Sequence, residues 1–192
     1  QHKRLLQTES LFKEGKHTKG NTKAEAVMLL NHQAALDYVL NKPDYFRELT
    51  VQKILEIHRF LTKGLGIPNK IRSGRVGITG TNYKPLAKAN QIQKALQDLC
   101  DLINSKRNVL EKAFIALLLI AYIQPFEDGN KRTARIICNA LLLPNKYCPI
   151  SFRTVEPEDY RYATLLFYEQ NSIPSFKKIF MEQLEFSTAN YF

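Results

Sequence analysis

Gln124-Pro-Phe-Glu-Asp-Gly-Asn-Lys-Arg-Thr-Ala-Arg135 is the stretch on which the reading of this chain turns. It sets an acid, a glycine turn and two arginines between two apolar runs. Val109 to Ile123 upstream and Arg135 to Leu143 downstream space their apolar residues as helices do, so Pro125 and Gly129 punctuate a helix, loop, helix unit. The start of the second helix is a ready anion site, because its first amides lack intrahelical acceptors and the helix dipole adds partial positive charge there. Arg132 and Arg135 stand three residues apart and share one face of the first turns. Asp128, just before the turn, is a carboxylate suited to a divalent cation that bridges phosphates. Taken singly, these residues have ordinary alternatives: turn chemistry for Pro, Gly and Asn, a core plug for Phe126, a solvated helix face for the arginines. A simple turn, however, asks for neither an acid nor an arginine pair.

The same residues resemble the signature of the Fic/Doc (Fido) family, His-x-Phe-x-(Asp/Glu)-Gly-Asn-(Gly/Lys)-Arg-x-x-Arg. Phe126, Asp128, Gly129, Asn130, Lys131, Arg132 and Arg135 occupy every defined position but the first, where Gln124 stands in place of the family's histidine. The resemblance implies an all-α, Fido-type helical bundle that uses ATP and Mg²⁺ to move AMP onto a Ser, Thr or Tyr hydroxyl of a target protein. It assigns nucleotide binding to Gly129, Asn130, Lys131, Arg132 and Arg135, the metal to Asp128, and the general-base position to Gln124. A glutamine amide cannot accept a proton from a hydroxyl at neutral pH, whereas imidazole, with a pKa of about 6.5, can. Losing that help costs about 10² to 10⁴ in rate. Nucleotide binding with weakened transfer is therefore expected. A degenerate regulator that binds nucleotide without transferring it is the alternative, and a small basic helical domain that binds nucleic acid is a third.

Two further segments gain meaning from the resemblance. Ser10-Leu-Phe-Lys-Glu14-Gly15 is similar to the family's inhibitory pattern, with Ser10 and Glu14 one helical turn apart and Gly15 able to end the helix. In the family such a glutamate pairs with the motif's second arginine, here Arg135, and excludes a γ-phosphate by like charge. A solvated helix end is the plain alternative. Arg72 to Pro85 has three glycines and alternating Val76 and Ile78, which suits a short β-hairpin around residues 75 to 83. The family's hairpin at this place, its flap, docks the target by strand addition, implying a role for Gly80, Thr81, Asn82 and Tyr83. A plain surface hairpin fits these residues equally well.

Outside these motifs the sequence reads as a single domain over 1–192 with an inhibitory helix at about 5–15. Its 192 residues can bury one sizeable core, and 44% hydrophobic with 24% charged residues is ordinary globular usage. The net charge of +10 fits an anionic cofactor. Lysines scattered without a run, and without interleaved aromatics, do not favour nucleic acid as a partner. Cys100, Cys138 and Cys148 show no paired metal spacing, so a reduced, cytoplasmic setting is expected. The chain begins Gln1-His2-Lys3-Arg4 with no initiator methionine and no visible targeting signal, and its natural N-terminus is expected upstream. The most apolar run, Ala113 to Ile123, is 11 residues long, whereas a membrane span needs roughly 20. No membrane partner is expected; oligomeric state is open, a homodimer included.

Seven helices are predicted. One begins near Thr22 and ends at Asn41 before Pro43; Thr50 caps the next and Gly64 closes it; the others cover 88–104, 109–123, 131–143, 157–169 and 174–187. His58 lies on an apolar helical stripe, which marks it as a hydrogen-bonded core residue rather than a relocated base.

Overall fold

The computed structural model describes residues 22–191; Ser10, Glu14 and the proposed inhibitory helix lie outside them. Seven α-helices follow in order: α1 (Thr22–Asn41), α2 (Val51–Thr62), α3 (Ala89–Ser105), α4 (Val109–Ile123), α5 (Asn130–Leu142), α6 (Pro157–Gln170) and α7 (Pro174–Tyr191). Short 3-10 turns at Pro43–Phe46 and Leu143–Asn145 redirect the chain after α1 and α5. The all-α prediction holds, with helix ends within a few residues of those read from the sequence.

Local chemistry explains those ends. The Thr50 hydroxyl accepts the Lys53 N–H at the start of α2, and Asn108 accepts the N–H groups of Leu110 and Glu111 at the start of α4. Gly64, at φ +74, takes the left-handed conformation that closes α2. Helix α4 is apolar nearly all round because it runs through the middle, packed most extensively on α5 and also on α3. Its Ala113, Ala116, Ile120 and α5's Ile137 and Ala140 are fully buried. Burying a Leu or Ile side chain contributes about 1.5 to 3 kcal/mol, so this helix pair anchors the loop between its members. No described helix is long and apolar enough to cross a membrane.

The expected hairpin does not form. Among the described residues no strand pairing occurs, and 72–87 runs instead as an irregular loop over the end of α4. The donors a ladder would need go elsewhere: Gly74 N–H to the Ala87 carbonyl at 2.8 Å, Asn82 N–H to the Glu169 carboxylate at 3.0 Å, and Tyr83 N–H to the Thr81 hydroxyl at 3.0 Å. Gly74 and Gly80 add positive φ angles of +109 and +88, which interrupt an extended run.

Candidate functional site

Helix α4 ends at Gln124, whose φ of 51 and ψ of 59 place a non-glycine residue in the left-handed region. The C-terminal carbonyls that α4 cannot pair internally are taken by named groups. Ile120 accepts the Gln124 N–H at 3.2 Å. Ala121 accepts both Gln124 Nε2, at 2.6 Å, and the Tyr168 hydroxyl, at 3.0 Å. Tyr122 accepts the Tyr83 hydroxyl at 2.9 Å. Burial holds the phenols of Tyr83 and Tyr168 above their ordinary range, so both remain donors.

From Gln124 to Gly129 the carbonyls are captured almost one after another. The Gln124 carbonyl accepts Arg72 Nε at 2.6 Å and Pro125 accepts the Arg72 N–H at 3.0 Å. Phe126 accepts Asn130 Nδ2 at 2.9 Å, Asp128 meets His58 Nε2 at 2.9 Å, and Gly129 accepts the Thr133 N–H at 2.8 Å. Because a carbonyl oxygen only accepts, Nε2 of His58 carries a hydrogen. The Phe126 and Gly129 N–H groups are taken by the Asn130 and Asp128 side chains, and the first intrahelical bond of α5 is that of Thr133, so the amides ahead of it lack intrahelical acceptors. This is the geometry of an anion site.

Asn130 is the pin of the loop. Only 6% exposed, it accepts the Phe126 N–H at 2.9 Å through Oδ1 and donates through Nδ2 to both Phe126 O and Gln124 Oε1. Phe126 is fully buried and stacks on His58, ring centroids 3.7 Å apart, while His58 also reaches Asn69 at 3.0 Å. Gly129, at φ +85, packs against His58 and Thr62. Asp128 stays exposed; one carboxylate oxygen accepts the Gly129 N–H and the other meets Arg132 at 3.1 Å. Nη1 of Arg132 is buried without a partner among the described residues. One turn on, the Arg135 guanidinium lies over the Tyr160 and Phe152 rings, at 5.1 and 5.7 Å. Lys131 is exposed.

Gln124 with Asn130, and Asp128 with Gly129 and Arg132, form two bonded groups that the stacked Phe126 and His58 join into one network. Of the four expected docking residues, Tyr83 faces inward, stacked on Tyr122 at 4.3 Å, while Gly80, Thr81 and Asn82 lie along α6 beside Arg161 and Glu169. Arg72 is the residue that sequence reasoning missed, since nothing in Arg72-Ser-Gly marks a buried side chain. His58 was legible as a polar residue on a core stripe, but not as a ligand of the Asp128 carbonyl.

Residues 48–142 match the family model described as Fic/DOC family. This stretch is a Fic/DOC domain. Over 97% of its length the chain is 25% identical to protein adenylyltransferase fic-1 of Caenorhabditis elegans, of which it spans 38%. The Fic-1 structure from C. elegans superposes with a TM-score of 0.71 over 98% of this chain and 60% of that one, at 20% identity. BepC of Bartonella tribocorum with bound AMPPNP gives 0.60 over 86% and 94%, at 18% identity. An IbpAFic2 variant in complex with adenylylated Cdc42 gives 0.64 over 95% and 61%, at 20% identity. The Fic/DOC match covers the two helices and the loop that build the network above.

Proposed function

We propose that this chain is an ATP-dependent protein adenylyltransferase domain, restrained by its N-terminal segment and weakened by Gln124. The observation that carries the reading is the loop 124–129, its carbonyls captured inward at the head of α5, beside an arginine with a buried donor to spare. A triphosphate suits that surface: backbone amides and the helix dipole face it, Arg132 and Arg135 supply charge, and Lys131 lies at the rim. The AMPPNP held by BepC and the adenylylated Cdc42 held by the IbpAFic2 variant support a nucleotide and a protein as the two substrates.

Among the described residues no cluster of three or more His, Cys, Asp or Glu side chains forms. A single exposed carboxylate, Asp128, nevertheless fits Mg²⁺, which keeps most of its waters and takes one or two carboxylates along with substrate phosphates. Bound there, the ion would neutralise phosphate charge. The target hydroxyl forms a bond to the α-phosphorus, the bond to pyrophosphate breaks, and the hydroxyl proton passes to solvent. The Gln124 amide cannot take it, so the rate rests on positioning and on the amides at the head of α5. Gly80, Thr81 and Asn82 would meet the target segment. Glu14, with Ser10 one turn before it, would occupy Arg135 in the restrained state, in a cytoplasmic setting.

The test is incubation with Mg²⁺ and α-labelled ATP in a cell lysate, with modified peptides located by mass. Slow transfer of AMP to Ser, Thr or Tyr is expected, and its absence at every enzyme concentration, with histidine at position 124 as well, would remove the transferase reading. The second reading, a nucleotide-binding regulator without transfer, is favoured by the Gln124 amide being bonded at both ends.

A further inference from the structure

Arg72 is the largest fully buried side chain among the described residues, 1% exposed, and it is charged. Among the described residues no carboxylate pairs with it, and burial pushes its pKa down. A guanidinium in that position is costly unless other groups meet it, and apolar replacements of buried charges are often neutral or stabilising. Carbonyl oxygens meet two of its three nitrogens, while Nη2 is buried without a partner among the described residues. Nε donates to Gln124 O at 2.6 Å, Nη1 to Gly74 O at 2.7 Å, and the backbone N–H to Pro125 O at 3.0 Å. The first of these sits at the C-terminal, partially negative end of α4. One side chain thus grips the entrance of the loop 124–129 and the root of the loop 72–87 together.

The geometry points to Arg72 as a positioning residue for nucleotide: it holds the backbone at Gln124, which is left-handed, and at Pro125, and so fixes the loop that leads into the head of α5. Because it acts on the backbone rather than on one phosphate, its loss weakens ATP and ADP alike. The inference rests on the nucleotide reading above.

The experiment compares three full-length variants by calorimetry with ATP and with ADP, each with Mg²⁺, well below their melting midpoints. Arg72→Met keeps volume but no side-chain donor, Arg72→Lys keeps charge but not the two-carbonyl grip, and Leu99→Ala lowers stability through a remote core position on α3. Arg72→Met is expected to weaken both nucleotides about tenfold or more, the size of one lost charge-assisted hydrogen bond. Arg72→Lys should fall between it and the parent, and Leu99→Ala should bind as the parent does. If Arg72→Met does not fold, Arg72→Lys carries the same comparison. Unchanged affinity in a folded Arg72 variant, or an equal loss in Leu99→Ala, overturns the inference while leaving the nucleotide reading intact. A parent chain that binds neither nucleotide removes both.

Discussion

The Asn130 side-chain amide donates a hydrogen bond to Oε1 of Gln124 across 3.0 Å. With Nε2 of the same glutamine bonded to the Ala121 carbonyl, the side chain at the proposed base position is tied at both ends into the frame of the loop. A neutral amide held this way is far too weak a base to take a proton from a hydroxyl.

Gln124→His should therefore raise AMP transfer by at least about 10²-fold at neutral pH, the usual worth of a general base. Nucleotide affinity should change little, because Arg72 holds the backbone carbonyl of residue 124, not its side chain. Initial rates with labelled ATP measure this, and equal rates for the two proteins would take position 124 out of the chemistry.

Asn130→Asp separates shape from donors. The carboxylate is nearly isosteric but cannot donate, so it faces Phe126 O and Gln124 Oε1 across short contacts and adds negative charge to the proposed phosphate site. Loss of stability of about 2 to 4 kcal/mol is expected from two buried acceptors left unmet. ATP affinity should fall further than in Asn130→Ala, even though Ala loses the acceptor as well. Urea denaturation and calorimetry on the same preparations give both numbers.

Stability should decline at alkaline pH, and the tyrosines at the end of α4 should account for part of the slope. Burial holds Tyr83 and Tyr168 above the ordinary phenol value of 10.0. The unfolded chain gives up these protons first, so their contribution is complete below that value and is lost as pH rises above it towards their folded values. Cys100, pushed up to about 12 by burial, adds to the same slope from its own ordinary value of 9.0 upward. Replacing both tyrosines by Phe should cost about 1 kcal/mol each at neutral pH and flatten the alkaline decline. A double variant that keeps the whole slope would assign it elsewhere.

The switch proposed for Glu14 predicts a non-additive pair. Glu14→Gly should tighten ATP binding by about fivefold to 150-fold, the range of a coupling worth 1 to 3 kcal/mol, while ADP responds less. In an Arg135→Ala background the same change should have no further effect. If Glu14→Gly leaves ATP affinity unchanged while Arg135→Ala still lowers it, Arg135 is a phosphate ligand and the N-terminal segment has no part in its control.

Much of this was legible before any coordinates. The helices could be read because apolar spacing and caps such as Thr50 act within a few residues of one another, and the motif because its residues are contiguous. What escaped notice depends on contacts far apart in sequence. Arg72 finds its carbonyls on residues 124 and 125, and His58 reaches Asp128, partners that no local pattern announces. The hairpin was misread for a related reason. Alternating Val76 and Ile78 with glycines is a fair strand signal, but the Asn82 N–H is claimed by Glu169 on α6, and side-chain anchors override a weak local preference.

The central claim is that the loop between α4 and α5 holds the phosphates of ATP. Calorimetric titration of ATP with Mg²⁺ into the full chain, and into the chain lacking its first 20 residues, tests it most directly. Saturable binding in both, tighter in the shortened chain and weakened by Asn130→Asp, is the predicted result; no heat of binding in either chain would contradict it.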